Sequence, residues 1–142
     1  DPVHAEAYRA NAEDYLAKIR EMETRVARLA ETLEGLDCVT FHDSAAYLAA
    51  DLSLHVTASL SIGEESGASA GDLAEAADAI RGRDVLLLYD GQYPTEYAYL
   101  ADYAASSRTV VLDTAVKPAD GAEPAERWLD AMDANLRALE SG

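Results

Sequence analysis

The chain has 142 residues, of which 49% are hydrophobic, so it can bury the core of one ordinary domain. With 27 acidic and 11 basic residues its formal net charge is −16, which argues against nucleic acid or an anionic membrane surface as a partner. The one cysteine, Cys38, excludes an internal disulfide and a zinc site built from several cysteines.

Residues 1–34 are predicted to form one long helix. Asp1 can cap its amino terminus, Pro2 suits the first turn, and apolar residues recur at alternating steps of four and three. This apolar seam consists of Tyr8, Ala12, Tyr15, Ile19, Met22, Val26, Leu29 and Leu33. At ~1.5 Å per residue the helix is about 50 Å long, which exceeds the ~30 Å width of a small domain. Part of the seam should therefore pack outside the chain's own core, against a second lobe or a second helix.

After Gly35 short apolar runs alternate with helical stretches. The predicted strands are residues 38–42, 54–62, 84–89 and 108–112, and the predicted helices are residues 44–52, 69–81, 94–105 and 124–140. Such alternation implies right-handed crossovers and a parallel sheet with helices on both faces. The predicted class is α/β: a long amino-terminal helix followed by a four-stranded parallel sheet covered by helices.

Polar side chains follow each predicted strand. They are His42 with Asp43, Glu64 with Glu65, Asp90, and Asp113. The carboxyl ends of parallel strands share one edge, where ligands of open α/β sheets bind. Imidazole and carboxylate groups together suit zinc or manganese, although one histidine is too few for a complete site. From position alone, His42 can equally be a helix cap.

Four stretches, taken in order, resemble one known family. They are "DPVHAEAYRANAEDYLAKI", "VTFHDSAAYLAADLSL", "SAGDLAEAADAIRGRDVLLLYDGQYP", and "VVLDT" followed by "WLDAMDANLRAL". They are similar to the backbone helix, the third metal-ligand motif, the segment leading to an acidic element, and the closing strand and helix of that family. The family is that of the solute-binding receptors of zinc and manganese ABC importers, the ZnuA/TroA type.

The resemblance implies two Rossmann-like lobes joined by one rigid helix, with a metal ion held between them. Residues 1–34 then correspond to the backbone helix and residues 35–142 to the carboxyl-terminal lobe, while the amino-terminal lobe is missing from this chain. The implied function is a non-enzymatic receptor that delivers a divalent metal to an ABC permease in the membrane. Its implied location is extracytoplasmic, either periplasmic or as a lipoprotein at the cell surface.

The resemblance also assigns roles to individual residues. His42 matches the imidazole ligand of the carboxyl-terminal lobe, and Asp113 matches its aspartate ligand. Because the manganese branch usually has glutamate at the first position, His42 favours Zn²⁺, with Mn²⁺ still possible. Asp90 stands where the family usually has glutamate, so Asp90 and Asp43 are assigned supporting roles beside the ligands.

Three other functions remain open from the residues alone. A metal-dependent hydrolase would use His42 and Asp113 to hold a metal-bound water, but no matched general base or nucleophile motif accompanies them. A receiver-like domain would use Asp90 as phosphoacceptor with Lys117, although the spacing lacks the strand and helix that belong between them. A structural dimer would associate through the apolar seam without metal.

Overall fold

The computed structural model of the protein describes residues 1–60, 67–92, 98–115 and 124–141. Within these ranges the helices are α1 (Ala5–Leu33), α2 (Ala46–Asp51), α3 (Ala70–Ala79) and α4 (Pro124–Glu140). The strands are β1 (Asp37–Thr40), β2 (His55–Ser59), β3 (Asp84–Asp90) and β4 (Ser106–Leu112). Short 3₁₀ helices cover Pro2–His4, Asp43–Ala45 and Ala98–Tyr103.

The four strands form one parallel sheet in the order β2-β1-β3-β4. The predicted fold class is therefore confirmed. The chain runs from β1 outward to β2, then crosses back to place β3 on the other side of β1. Between β1 and β3 the direction of winding reverses, and the carboxyl ends of strands at such a point border a crevice that accepts ligands.

The central strand β3 is buried on both faces, as is typical of parallel sheets. Leu86 and Leu88 point to the face covered by α1, α2 and α4. Val85, Leu87 and Tyr89 point to the opposite face, which α3 and the 3₁₀ helix Ala98–Tyr103 cover. These five side chains alternate between the two faces, so helices cover both faces of the sheet. The helical layers do not cover the carboxyl ends of the strands, where a cavity opens.

Helix α1 packs its buried residues on the lobe through its carboxyl-terminal half, and Lys18 near its middle pairs with Glu126 of α4 at 3.2 Å. Leu29 and Leu33 are buried, whereas Tyr8 and Leu16 are 57% and 46% exposed. Arg25 fixes α1 to α4 through bonds of 2.6 Å to Asp133 and of 3.0 and 3.1 Å to Glu140. The amino-terminal part of the seam is therefore uncovered. None of the helices in the described ranges is both long and apolar enough to cross a bilayer.

The observed elements differ from the predicted ones near the first strand. Strand β1 ends at Thr40, so His42 stands outside the strand and begins a 3₁₀ turn. Strand β2 covers residues 55–59 of the predicted 54–62. Residues 61–62, and Glu64 and Glu65 with them, lie outside the described residues.

The helix predicted at residues 94–105 also differs from the structure. Its described part is a 3₁₀ helix at Ala98–Tyr103, while residues 94–97 lie outside the described ranges. Leu100 is the buried side chain of this 3₁₀ helix. With one anchoring residue there is no repeating apolar stripe to stabilise an α-helix against the sheet.

A polar cluster lies at the amino-terminal edge of the sheet, opposite to the strand ends of interest. The Asp37 carboxylate accepts hydrogen bonds from His55 at 2.6 Å, from Thr57 at 3.0 Å and from Arg83 at 3.0 Å. The His55 bond lowers the pKa of Asp37, burial opposes it, and Arg83 and Thr57 lower it further, from 3.8 to about 2. His55 therefore serves the structure at this edge.

Replacing Asp37 by asparagine should make stability less dependent on acid. The folded-state pKa lies below the usual value of 3.8, so the carboxylate stabilises the fold above that pH, and this contribution disappears as pH falls toward about 2. Because His55 and Arg83 are more than half exposed, we expect a loss of only about 1 kcal/mol at neutral pH. Urea unfolding at pH 7, 4 and 3 measures the free energy of unfolding of the wild type and the variant, with Asp102→Asn as an exposed control. If the two proteins differed by the same amount at every pH, the stabilising role of the Asp37 carboxylate would be contradicted.

Candidate metal site

A cavity of ≈ 490 Å³ opens at the carboxyl ends of β1, β3 and β4, beside α4. Three of the predicted strand-end residues line it, and α4 contributes one wall. The lining includes His42, Asp90 and Asp113 from the strand ends, and Trp128, Met132 and Asn135 from α4. The parallel topology thus brings one imidazole and two carboxylates to the same cavity.

His42 caps a helix and also lines the cavity. Its backbone is extended (φ −162°, ψ 149°), and its Nδ1 accepts the Ser44 N–H at 3.1 Å as the cap of the 3₁₀ helix Asp43–Ala45. The side chain is 32% exposed, and Nδ1 lies 3.9 Å from Oδ2 of Asp90. His42 therefore acts as the cap and also faces the cavity, but because Nδ1 accepts the Ser44 N–H, the proton of the neutral ring lies on Nε2. Metal binding through Nε2 would require the ring to give up this cap bond.

Asp90 is a buried carboxylate held by neutral donors. Its residue is 4% exposed. Oδ2 accepts the Ser44 hydroxyl at 2.9 Å, while Oδ1 accepts the Gln92 N–H at 2.9 Å and the Thr114 hydroxyl at 3.3 Å. The adjacent Gly91 lies tightly against β4, because a Cβ there would come within 3.0 Å of a backbone oxygen. This close approach sets Asp90 beside the segment that follows β4.

Asp113 is positioned by the side chain of Asn135. The Asp113 N–H donates to Asn135 Oδ1 at 2.8 Å, and Asn135 Nδ2 donates to the Asp113 carbonyl oxygen at 2.9 Å. The Asp113 carboxylate then accepts the Ala115 N–H at 2.8 Å, where Ala115 adopts a positive φ of 57°. Helix α4 thereby fixes both the backbone and the direction of this strand end.

Arg127 of α4 also contacts the Asp113 carboxylate. Its Nη2 lies 2.8 Å from each carboxylate oxygen. Burial by itself would raise the pKa of Asp113, but the Ala115 N–H and the Arg127 guanidinium together lower it. Asp113 is therefore ionised at neutral pH, and its charge is paired with Arg127.

The donor chemistry of the cavity fits a divalent metal. An imidazole nitrogen and a carboxylate oxygen are ligands that zinc and manganese accept. Within the described ranges, no three histidine, cysteine, aspartate or glutamate side chains are grouped closely enough to hold an ion. His42 and Asp113 would supply half of the roughly four ligands of a protein zinc site.

The match to known proteins covers the whole chain. A family model described as zinc-uptake complex component A, periplasmic (ZnuA) matches residues 1–142. The chain belongs to the ZnuA family. The high-affinity zinc uptake system protein ZnuA of Bacillus subtilis is 26% identical over 148 residues, which span 99% of this chain and 44% of that protein.

Solved structures share the fold of this ZnuA-family chain. The metal-dependent lipoprotein YcdH of Bacillus subtilis superposes with a TM-score of 0.67 at 22% identity, over 100% of this chain and 54% of that one. FpvC of Pseudomonas aeruginosa in complex with Mn²⁺ gives a TM-score of 0.69 at 20% identity, over 100% and 53%. The chain spans about half the length of these relatives.

Sequence reasoning missed the side chains that contact Asp90 and Asp113 in this ZnuA-family chain. They are Ser44, Thr114, Arg127 and Asn135. Asn135 could have been found from the sequence, because it stands between Met132 and Leu136 on the apolar face of α4. A polar residue on a buried face needs a hydrogen-bond partner. Asp43 is exposed and is not part of the cavity lining, so its supporting role remains a prediction.

Removing the Asn135 side chain should destabilise the end of β4. Asn135→Ala deprives the Asp113 N–H and carbonyl of both partners, and we expect a loss of about 1–3 kcal/mol in the free energy of unfolding. Urea unfolding measures this loss. The matched control is Asn11→Ala on the exposed part of α1, which should change stability by less than about 0.5 kcal/mol. Equal effects of the two substitutions would contradict the proposal that the two hydrogen bonds of Asn135 to the Asp113 backbone, which we call the Asn135 clamp, stabilise the end of β4.

Proposed function

We propose that this chain is the backbone helix and carboxyl-terminal lobe of an extracytoplasmic receptor that binds a divalent metal and delivers it to an ABC import permease. Residues 1–34 serve as the backbone helix and residues 35–142 as the lobe. The cargo is zinc, with manganese as the alternative. This lobe supplies His42 and Asp113 as ligands and performs no catalysis.

The meeting of His42 and Asp113 in one cavity is the observation that carries the proposal. The two residues follow different strands, and each has a fixed place at its strand end. Asp113 supplies an ionised oxygen, and His42 supplies a nitrogen that distinguishes the site from ordinary surface carboxylates. An imidazole also favours zinc over the hard cations calcium and magnesium, which prefer oxygen ligands.

Asp90 supports His42 rather than binding the ion itself. A metal bound through Nε2 of His42 places the ring proton on Nδ1, so Nδ1 must give up the Ser44 N–H that it accepts in this structure and donate a hydrogen bond instead. Oδ2 of Asp90 lies 3.9 Å from Nδ1, so the ring would have to move closer for this carboxylate to accept the hydrogen bond. Carboxylates in this role orient a metal-binding imidazole and increase its basicity.

The incomplete ligand set and the uncovered helix both support a second lobe. A groove of ≈ 440 Å³ follows the seam between α1 and α4, with Ile19 and Val26 on one side. Trp128 and Met132 line this groove and also the metal cavity. An amino-terminal lobe seated on the seam would therefore border the cavity, where it could complete the metal site. The extra length of the relatives is sufficient for such a lobe.

The buried state of Asp90 favours a receptor over the receiver-like alternative. Its side chain is 2% exposed and bonded by Ser44, Gln92 and Thr114, so it is poorly accessible to a phosphate donor. The hydrolase alternative would need a general base beside the metal, whereas Asp90 is already committed to these donors. The family description as periplasmic and the lipoprotein among the relatives support an extracytoplasmic location.

Zinc titration of the chain should show binding that depends on His42. With about half of a zinc shell present, we expect weak affinity, and His42→Ala should reduce it by about tenfold or more. His55→Ala is the matched control, because His55 lies at the opposite sheet edge and should leave affinity unchanged. Isothermal titration calorimetry measures all three proteins. Equal losses in both variants, or none in His42→Ala, would refute the site.

The isolated chain should self-associate through the uncovered seam. Exposed apolar surface seeks a partner when its natural cover is absent. Sedimentation velocity at increasing concentration should show a rising average mass, and Tyr8→Gln, at an exposed seam residue, should reduce it. Tyr47→Ser, at a residue 85% exposed outside the seam, is the control and should have no effect. A strict monomer with fully protected α1 amides would argue against a missing lobe.

A further inference from the structure

Asp113 lies between two cavities, and a cation already occupies one side of it. Besides the His42 cavity, Asp113 lines a second cavity of ≈ 330 Å³ that includes Arg127 and Val111. Arg127 lines this second cavity and not the His42 cavity, and its Nη2 reaches both Asp113 oxygens at 2.8 Å. The carboxylate proposed as a metal ligand is thus engaged by an arginine from the opposite side.

The hydrogen bonds at Asp113 leave little room for a second cation. An ionised carboxylate has about four acceptor positions. Oδ1 accepts the Ala115 N–H and Arg127, and Oδ2 accepts Arg127. A metal approaching from the His42 cavity must use the remaining position on Oδ2 or displace the arginine.

The Asp113 carboxylate cannot turn away from Arg127 without losing the Ala115 N–H bond, and its backbone is fixed as well. Asn135 holds the Asp113 backbone at both its N–H and its carbonyl oxygen. Asn135 and Arg127 both belong to α4, so the Asn135 clamp and the Arg127 guanidinium keep the same position relative to each other. The arginine side chain is the part that can yield, because a cavity is available next to it.

We propose that Arg127 competes with the metal ion for Asp113 and thereby weakens metal binding. This inference rests on the proposed function of the cavity. Arg127 keeps the carboxylate paired when no metal is present, loosens its hold when an ion binds, and recovers Asp113 when the ion departs. A receptor that must release its cargo benefits from such a competitor, since the arginine neutralises the ligand left behind.

The electrostatic cost to the metal is large enough to measure. A divalent ion and a guanidinium sharing one carboxylate would be about 5 Å apart. Even at the dielectric constant of bulk water, their repulsion corresponds to roughly tenfold in the binding constant. Removing the charge of Arg127 should therefore tighten zinc binding by about that factor or more.

The test compares Arg127→Gln with Arg137→Gln by zinc titration calorimetry. Both substitutions remove one positive charge from α4, but Arg137 is 74% exposed and pairs with Asp133 instead. We expect roughly tenfold tighter binding for R127Q and less than about twofold change for R137Q. Arg127→Lys retains the charge and should bind zinc like the wild type. Unchanged or weaker binding by R127Q would overturn the proposal, since weaker binding would mean that Arg127 positions Asp113.

Two further measurements separate the possible failures. If His42→Ala leaves zinc affinity unchanged, the proposed site fails; if it abolishes binding while R127Q behaves like the wild type, only the role of Arg127 fails. Should R127Q not fold, ¹⁵N spectra of the arginine side chains in the wild-type chain decide the question. Zinc should then shift and broaden the Arg127 signals while leaving those of Arg137 unchanged, and an unaffected Arg127 would overturn the proposal.

Discussion

The parallel pairing of β1 with β3 and of β3 with β4 is the constraint on which the site depends. Because these strands run in the same direction, the chain leaves all three at one edge of the sheet. Each exit carries one of His42, Asp90 and Asp113, and α4 closes the cavity beside them. An antiparallel β4 would have placed Asp113 at the opposite edge, next to the Asp37 cluster. The metal chemistry proposed for this chain is thus a consequence of strand direction.

The two carboxylates of the cavity are stabilised in different ways, which separates their roles. Asp90 is buried, and its bonds to Ser44, Gln92 and Thr114 stabilise the charge with neutral donors. Asp113 is 45% exposed on its side chain and is paired with the guanidinium of Arg127. A buried carboxylate with several donors stays in place, whereas a carboxylate that is 45% exposed remains accessible to a second cation even though its partner Arg127 is only 17% exposed. Asp90 is therefore suited to support, and Asp113 to exchange.

Helix α1 is buried against the lobe along one half of its length and exposed along the other, and this difference supports the proposed domain organisation. Its carboxyl-terminal half is anchored by Leu29, Leu33 and the bonds of Arg25 to α4. Its amino-terminal half carries the same seam onward with nothing in the described ranges to bury it. Trp128 lies where the uncovered seam meets the metal cavity. The uncovered seam, on which we propose that a second lobe packs, is therefore continuous with the proposed metal site.

The sequence by itself determined the α/β class, the long helix and the strand-end positions of His42, Asp90 and Asp113. These features depend on local periodicity and on the general rule that parallel strands end at one edge. Sequence reasoning failed at Ala98–Tyr103, where Leu100 alone is buried in a 3₁₀ helix. Only the tertiary structure decided that Asp90 is enclosed and that α4 brings Asn135 and Arg127 to Asp113. Those contacts join residues distant in the chain, and no local pattern specifies which face of α4 meets the end of β4.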